Sequence, residues 1–185
     1  MSIIRMLNKK IVKGFSLLEI MVAISLLAVS LVAIISVGTK ILQVEHVTEN
    51  DFIAKGLLVE GLEIAKAVRN SNINSLLPFY TSLTVASPTE GTVYNMRIDY
   101  TGTANSVSSL TDPSAQLLYN SATFYQYVSG TPAIFYRMLK TTYHMGTNIV
   151  AKDWLDVESQ VYWSDRGRGS TQKISITLYN TSYLH

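Results

Sequence analysis

The chain has 185 residues, of which 48% are hydrophobic and only 15% are charged, a low charged fraction for a wholly soluble domain. Its formal net charge of +2 gives no reason to expect a strongly charged partner, and the absence of cysteine excludes disulfide scaffolds, thiolate metal sites and cysteine nucleophiles. Four basic residues lie in the first 14, so the remainder is slightly acidic, which disfavours a basic nucleic-acid-binding domain.

The N-terminus joins a short basic segment to a long apolar one. Twenty consecutive uncharged, mostly apolar residues run from Ile20 to Thr39. As a helix they span about 30 Å, the thickness of the hydrocarbon core of a bilayer. Positive charge before the span predicts a cytoplasmic N-terminus and a translocated remainder after Lys40. The basic residues are Arg5, Lys9, Lys10 and Lys13.

A single carboxylate, Glu19, stands at the start of this apolar segment. A charge near mid-bilayer costs about 2.5–3.5 kcal/mol on insertion scales, so Glu19 is a functional candidate. A cleaved secretory signal would have a shorter apolar core and a small-x-small cleavage site, whereas a plain signal anchor leaves Glu19 unexplained. A buried helix of a soluble protein would need a larger surrounding core than the later sequence supplies.

The segment Lys13 to Glu19, Lys-Gly-Phe-Ser-Leu-Leu-Glu, resembles the type IV prepilin signal. The resemblance covers residues 9–40 closely, with basic leader, glycine, phenylalanine, glutamate and apolar helix in a fixed order. It implies that a prepilin peptidase cuts between Gly14 and Phe15 on the cytoplasmic side and that the new N-terminal Phe15 is N-methylated. It also implies that Glu19, then the fifth residue, is the assembly carboxylate, paired with the terminal amine of a neighbouring subunit.

After Lys40 the apolar residues recur at three- and four-residue steps between charged ones, which is typical of a half-exposed helix. Glu63 and Lys66 are expected to be helix-surface neighbours. No proline precedes Pro78, so one helix is predicted from about Ser16 to Asn70. Three glycines in it mark bends or close packing sites, namely Gly38, Gly56 and Gly61.

Alternating apolar and polar residues in the rest of the chain predict strands. These cover Thr92–Tyr100, Phe124–Val128, Ala133–Tyr143 and a terminal hairpin of Val157–Trp163 with Ile174–Leu178. Residues 101–115, rich in Thr, Ser, Asn and Gly, are predicted to form a loop, and residues 164–171 a glycine-rich turn.

This order of elements predicts an α+β, pilin-like fold, in which a small antiparallel sheet covers the apolar stripe of a long N-terminal helix. The expected regions are a leader (1–14), a membrane or fibre-core half of the helix (15–40), an amphipathic half (41–72) and a β domain (73–185). The segment Glu60-Gly61-Leu62-Glu63 and the terminal hairpin resemble minor pilins and pseudopilins. The nearest groups are the type IV pilus modification protein and the minor pseudopilins of type II secretion.

No catalytic, cofactor or metal site is expected from the sequence. The three histidines, His46, His144 and His185, lie far apart, and there is no cysteine to join them. Asp153, Asp156 and Glu158 lack the spacing of a calcium loop, so a solvated edge is the simpler interpretation, with Asp156 and Glu158 on one strand face. Nucleophile-elbow, phosphate-loop and zinc-protease motifs are absent, so an enzyme is not predicted.

The sequence therefore predicts a structural subunit, a minor pilin or pseudopilin, of a type IV pilus or a type II secretion-like filament. The implied partners are prepilin peptidase, other pilin or pseudopilin subunits, the membrane assembly platform, and membrane lipid before assembly. The subunit is expected first as a single-pass membrane protein and then in a surface or periplasmic filament.

Two alternatives stay open. One is a signal-anchored surface domain that binds a ligand and never polymerises. The other is a competence pilin that contacts DNA through Arg166 and Arg168 at the hairpin tip, for which a solvated turn is the simpler interpretation.

Overall fold

The computed structural model describes residues 14–122, 124–146 and 152–181, so the basic leader before Gly14 and His185 lie outside the described residues. A long helix, α1, is followed by seven strands that pair antiparallel throughout, and the predicted α+β architecture is confirmed. The elements are α1 (Leu17–Asn74), β1 (Val93–Ile98), β2 (Ala104–Ser106), a short 3₁₀ helix (Pro113–Ala115), β3 (Gln116–Asn120), β4 (Phe124–Gln126), β5 (Thr131–His144), β6 (Trp154–Asp165) and β7 (Arg168–Tyr179).

The chain divides into two compact units, residues 1–48 and 49–185. In the described part of the first unit every residue is exposed, and α1 is long and apolar enough to cross a membrane. The hydroxyls of Ser25, Ser30 and Ser36 each donate to the carbonyl oxygen four residues earlier, at 2.8 Å. Because the helix itself satisfies these hydroxyls, they are compatible with a hydrocarbon environment.

In the second unit, β5 is the central strand of the sheet. One side of it pairs with β6, which in turn pairs with β7. Its other side pairs with β1 through residues 139–142 and with β3 through residues 131–136. The short strands β2 and β4 extend β1 and β3.

The second-unit part of α1 packs an apolar face against this sheet, as predicted. Its buried residues enter two hydrophobic clusters that contain the inward side chains of the central strands. Around Leu62 and Ala65 lie Leu139, Leu155 and Val157, and around Ala54 and Leu58 lie Phe135, Val161 and Trp163. Glu63 and Lys66 are helix-surface neighbours, as predicted, and form a salt bridge in which Lys66 Nζ lies 2.6 Å from Glu63 Oε1.

The helix ends at Asn74, four residues later than predicted. The N–H of Leu77 donates to the Asn72 carbonyl at 2.8 Å and that of Leu76 to the Ile73 carbonyl at 3.1 Å, with Leu76 at a φ of 57°. This is a Schellman motif, which closes the last turn without glycine. Residues 71–74, Ser-Asn-Ile-Asn, contain a single apolar residue and show no helical periodicity, so the sequence placed the helix end too early.

Two other predictions need correction. The predicted loop 101–115 contains β2 and the 3₁₀ helix, and β3 follows it unpredicted. The predicted turn 164–171 is too long, because only Arg166 and Gly167 connect β6 to β7, with φ angles of 49° and 78°. Positive φ at both central residues is the type I′ geometry, which matches the twist of the flanking strands and keeps the hairpin in register.

Candidate functional site

The predicted cleavage bond lies just before α1. Gly14 and Phe15 have no regular secondary structure, and Phe15 is 79% exposed. The Ser16 carbonyl accepts the N–H groups of Glu19 and Ile20 at 3.0 and 3.2 Å, so the helix begins immediately afterwards. The bond between Gly14 and Phe15 therefore lies outside the helix.

Glu19 lies in the first turn of α1 and is exposed. It is the sole charged residue between Phe15 and Thr39. Unpaired N–H groups at a helix N-terminus stabilise a nearby negative charge by about 0.3–1 kcal/mol. Because Glu19 follows Phe15 by four residues, its carboxylate lies close to the N-terminus that cleavage after Gly14 would create.

The hairpin tip carries the two arginines that the sequence singled out. Arg166 occupies the turn and Arg168 begins β7, and both are exposed. The acidic residue Asp165 precedes them at the end of β6, and its Oδ2 lies 3.5 Å from Asn50 Nδ2. The tip therefore presents charges of both signs rather than a uniformly basic surface.

The structure places a charged side chain, Arg137, in the core of the second unit, which the sequence analysis did not single out. Arg137 is 1% exposed, and its Nη1 lies 3.0 Å from Glu60 Oε1 of α1. The same Nη1 donates to the Leu57 carbonyl at 3.4 Å, and Nε donates to the Tyr127 hydroxyl at 3.3 Å. A charged residue on the inward face of the predicted strand 133–143 was the signal that could have revealed it.

Tyr127 supports this arrangement from the sheet side. Its hydroxyl donates to the Arg137 carbonyl at 2.9 Å, at a place where neither β1 nor β3 pairs with β5. Burial raises the pKa of Tyr127, which keeps the hydroxyl protonated as a donor. The hydroxyl thus supplies a hydrogen bond that a neighbouring strand would otherwise give.

His144 has partners that its isolated position in the sequence did not reveal. Its Nδ1 lies 3.1 Å from Glu90 Oε1 and its Nε2 lies 3.2 Å from Asp156 Oδ2, while its ring stacks on Trp154. Glu90 also accepts the Met145 N–H, and this hydrogen bond is the main reason that the pKa of Glu90 is lowered. On this face of the sheet, His144 of β5 therefore joins Glu90, which lies before β1, to Asp156 of β6.

The acidic residues of β6 lie on a solvated face, in agreement with their predicted common side. Asp156 accepts the Thr177 hydroxyl at 2.7 Å, and Glu158 forms an ion pair with Lys173 at 3.2 Å. A hydrogen bond from Gln160 lowers the pKa of Glu158. A shallow groove of about 490 Å³ runs beside them, and among the described residues no three histidine or acidic side chains are placed to hold a metal ion.

Comparison with known proteins identifies the N-terminal segment. Residues 9–35 match the family model of the prokaryotic N-terminal methylation motif. This matched segment contains Gly14, Phe15 and Glu19. The chain therefore carries the prepilin signal of type IV pilin-like proteins. No curated protein and no solved structure matches the chain.

Proposed function

We propose that this chain is a structural subunit, a minor pilin or a pseudopilin, of a type IV pilus or a type II secretion-like filament. The observation that carries the proposal is the methylation motif at residues 9–35, joined in one chain to a helix of membrane-spanning length and a separate β-containing unit. The proposed role is structural, because the motif serves processing and the apolar helix serves membrane insertion and packing with other subunits.

The subunit enters the membrane through the apolar part of α1, with the leader on the cytoplasmic side. Prepilin peptidase then cuts between Gly14 and Phe15, and Phe15 is N-methylated. The apolar segment supports both stages, since its exposed side chains exchange lipid contacts for contacts with the helices of other subunits.

Glu19 provides the chemistry of assembly in this proposal. In lipid its charge is costly, and in a filament the terminal amine of a neighbouring subunit's Phe15 neutralises it. The exchange of an unpaired charge for a paired one favours departure from the bilayer. A plain membrane anchor gains nothing from this carboxylate.

Co-expression with a prepilin peptidase tests the proposal. We expect intact-mass analysis to show a mature chain that begins at methylated Phe15, because Gly14 offers the peptidase a bond without a side chain before it. Gly14→Val should remain full length, whereas the matched substitution Gly38→Val, within α1 and away from the cleavage bond, should be processed normally. A wild-type chain that stays unprocessed would favour the signal-anchored ligand-binding alternative and overturn the proposal.

A further inference from the structure

Among the described residues, no strand pairs with the outer side of β7, which is therefore a long edge of the sheet. The strands β2 and β4 have three residues each, whereas β7 has twelve, of which Leu178 alone is buried. It contains no proline and pairs with β6 through twelve consecutive residues without a bulge. Natural sheets protect their edges with short strands, prolines, bulges or charges, and of these devices β7 has only its two cations, Arg168 and Lys173.

The hairpin geometry shows which backbone groups of β7 face outward. Asp165 and Arg168 flank a two-residue turn and form a hydrogen-bonded pair, so every second residue of β7 from Arg168 onward bonds β6. The intervening residues direct their N–H and C=O groups away from the sheet. Among described residues, one side chain reaches these groups, since Arg69 Nη1 donates to the Tyr179 carbonyl at 3.2 Å. The outward-facing residues are Gly169, Thr171, Lys173, Ser175, Thr177 and Tyr179.

The two faces of β7 differ in character. On the side that faces α1, Ile174 is 42% exposed and Ile176 is half-buried. On the other side lie Lys173, Ser175 and Thr177, which are polar and exposed. A strand that pairs with this edge should therefore present β-branched apolar residues on one face and small polar residues on the other, which is the pattern of β7 itself.

We propose that β7 pairs antiparallel with β7 of a second copy of this chain, about a two-fold axis at Ser175. In this register Ile174 of each copy lies opposite Ile176 of the other, which gives two β-branched cross-strand pairs. Lys173 lies opposite Thr177 of the second copy. The register centred on Lys173 would instead set two like charges directly opposite each other, which is unfavourable.

Such an interface is isologous, because the same edge serves both copies. It pairs the outward-facing N–H and C=O groups at the centre of β7, and it extends the sheet across the axis. The proposal goes beyond the proposed function and does not depend on it, since two copies could pair whether or not they are cleaved or enter a filament.

Cysteine cross-linking of the full-length chain tests the register, and the natural chain supplies a background free of cysteine. Ser175→Cys places its sulfur beside its own copy, within the Cα separation of about 4.4–6.8 Å that a disulfide requires. Lys173→Cys is the matched control on the same exposed face, since its copy lies four positions away, or about 13 Å along the strand. We expect a disulfide-linked dimer from Ser175→Cys on a non-reducing gel after oxidation in membranes, and none from Lys173→Cys.

Two further variants test whether the cross-link depends on the proposed strand pairing, and not on a special property of position 175 or on random encounters between subunits. The double variant Lys173→Cys/Thr177→Cys restores opposed cysteines and should give the dimer. Adding Lys173→Pro to Ser175→Cys removes an outward N–H without removing a bond to β6, and should abolish the dimer. Circular dichroism checks that each variant is folded. Equal cross-linking at positions 173 and 175, or none at either position in folded protein, would overturn the proposal.

Discussion

Glu60 and Glu63 lie one helical turn apart on α1 but differ in what they face. Glu60 is 42% exposed and pairs with the buried guanidinium of Arg137, whereas Glu63 pairs with Lys66, and both members of that pair are exposed. A buried cation that loses its carboxylate keeps its desolvation cost, while an exposed pair gains little because water competes. The two glutamates therefore form a matched comparison.

We expect Glu60→Gln to lower the free energy of unfolding by about 1.5–3 kcal/mol, because it weakens a hydrogen bond to a buried charge. Glu63→Gln should lower it by only about 0.2–0.5 kcal/mol. Denaturant unfolding of both variants in the same detergent measures the difference. Equal effects would mean that the Arg137 pair contributes no more than a surface pair.

Glu19 is the residue on which the assembly mechanism depends. If it served insertion alone, Glu19→Leu would improve the subunit by removing a cost of up to a few kcal/mol. If it serves assembly, the variant should insert and be cleaved after Gly14 normally, yet fail to enter filaments, since a neighbour's Phe15 amine is left buried without a partner. A shear-fraction assay beside a membrane-fraction blot of the mature form distinguishes the two. Normal incorporation of the Glu19→Leu variant into filaments would rule out this assembly mechanism.

At the scale of elements, the glycines of α1 have different surroundings. A Cβ added at Gly61 would lie 2.6 Å from Ser159 Oγ and 3.2 Å from Leu139 Cδ2, so the helix approaches the sheet closely at this point. A Cβ at Gly56 would meet nothing within 4 Å. The predicted close packing site is therefore Gly61, where the lack of a side chain sets the distance between helix and sheet.

We expect Gly56→Ala and Gly61→Ala to change stability in opposite directions. Gly56→Ala should stabilise the protein by up to about 1 kcal/mol through helix propensity. Gly61→Ala should destabilise it by about 1–3 kcal/mol, because overpacking exceeds the propensity gain. Thermal unfolding of both variants against the parent checks the signs.

Ser159→Ala provides the control for the steric explanation. The buried Ser159 hydroxyl has no hydrogen-bond partner among the described residues, so its removal alone should cost little. In the Gly61→Ala background it should recover part of the lost stability, because the closest atom is gone. Additive effects of the two substitutions would show that the Gly61 cost has another origin.

At the scale of the whole molecule, the two units have different solubility requirements. The described first unit exposes its apolar side chains, whereas the second has its own hydrophobic clusters between α1 and the sheet. A domain that buries its own core can fold without a membrane. The second unit thus contains what independent folding requires.

We expect a chain that begins at Leu42 to be soluble, to show mixed helix and strand by circular dichroism, and to unfold in one cooperative thermal transition. The full chain without detergent, which exposes the apolar span, should aggregate. A shortened chain that aggregates or is wholly helical would contradict the assigned architecture.

The sequence by itself determined the features that depend on local order. The prepilin signal is a fixed succession of residues, and the apolar span and the strands β5 to β7 follow from periodicity over short stretches. The inward face from Val157 to Trp163 was predictable because alternation alone assigns side chains to a strand face.

Only the tertiary structure decided the pairings between distant segments. Arg137 meets Glu60, His144 meets Glu90, and β1 pairs with β5, each across separations that no local pattern encodes. The edge position of β7 is of the same kind, because strand order in a sheet is a property of the whole chain. The local sequence selects the type of each element, whereas burial and pairing with remote residues fix its neighbours. The arrangement of the second unit therefore follows only from the tertiary structure.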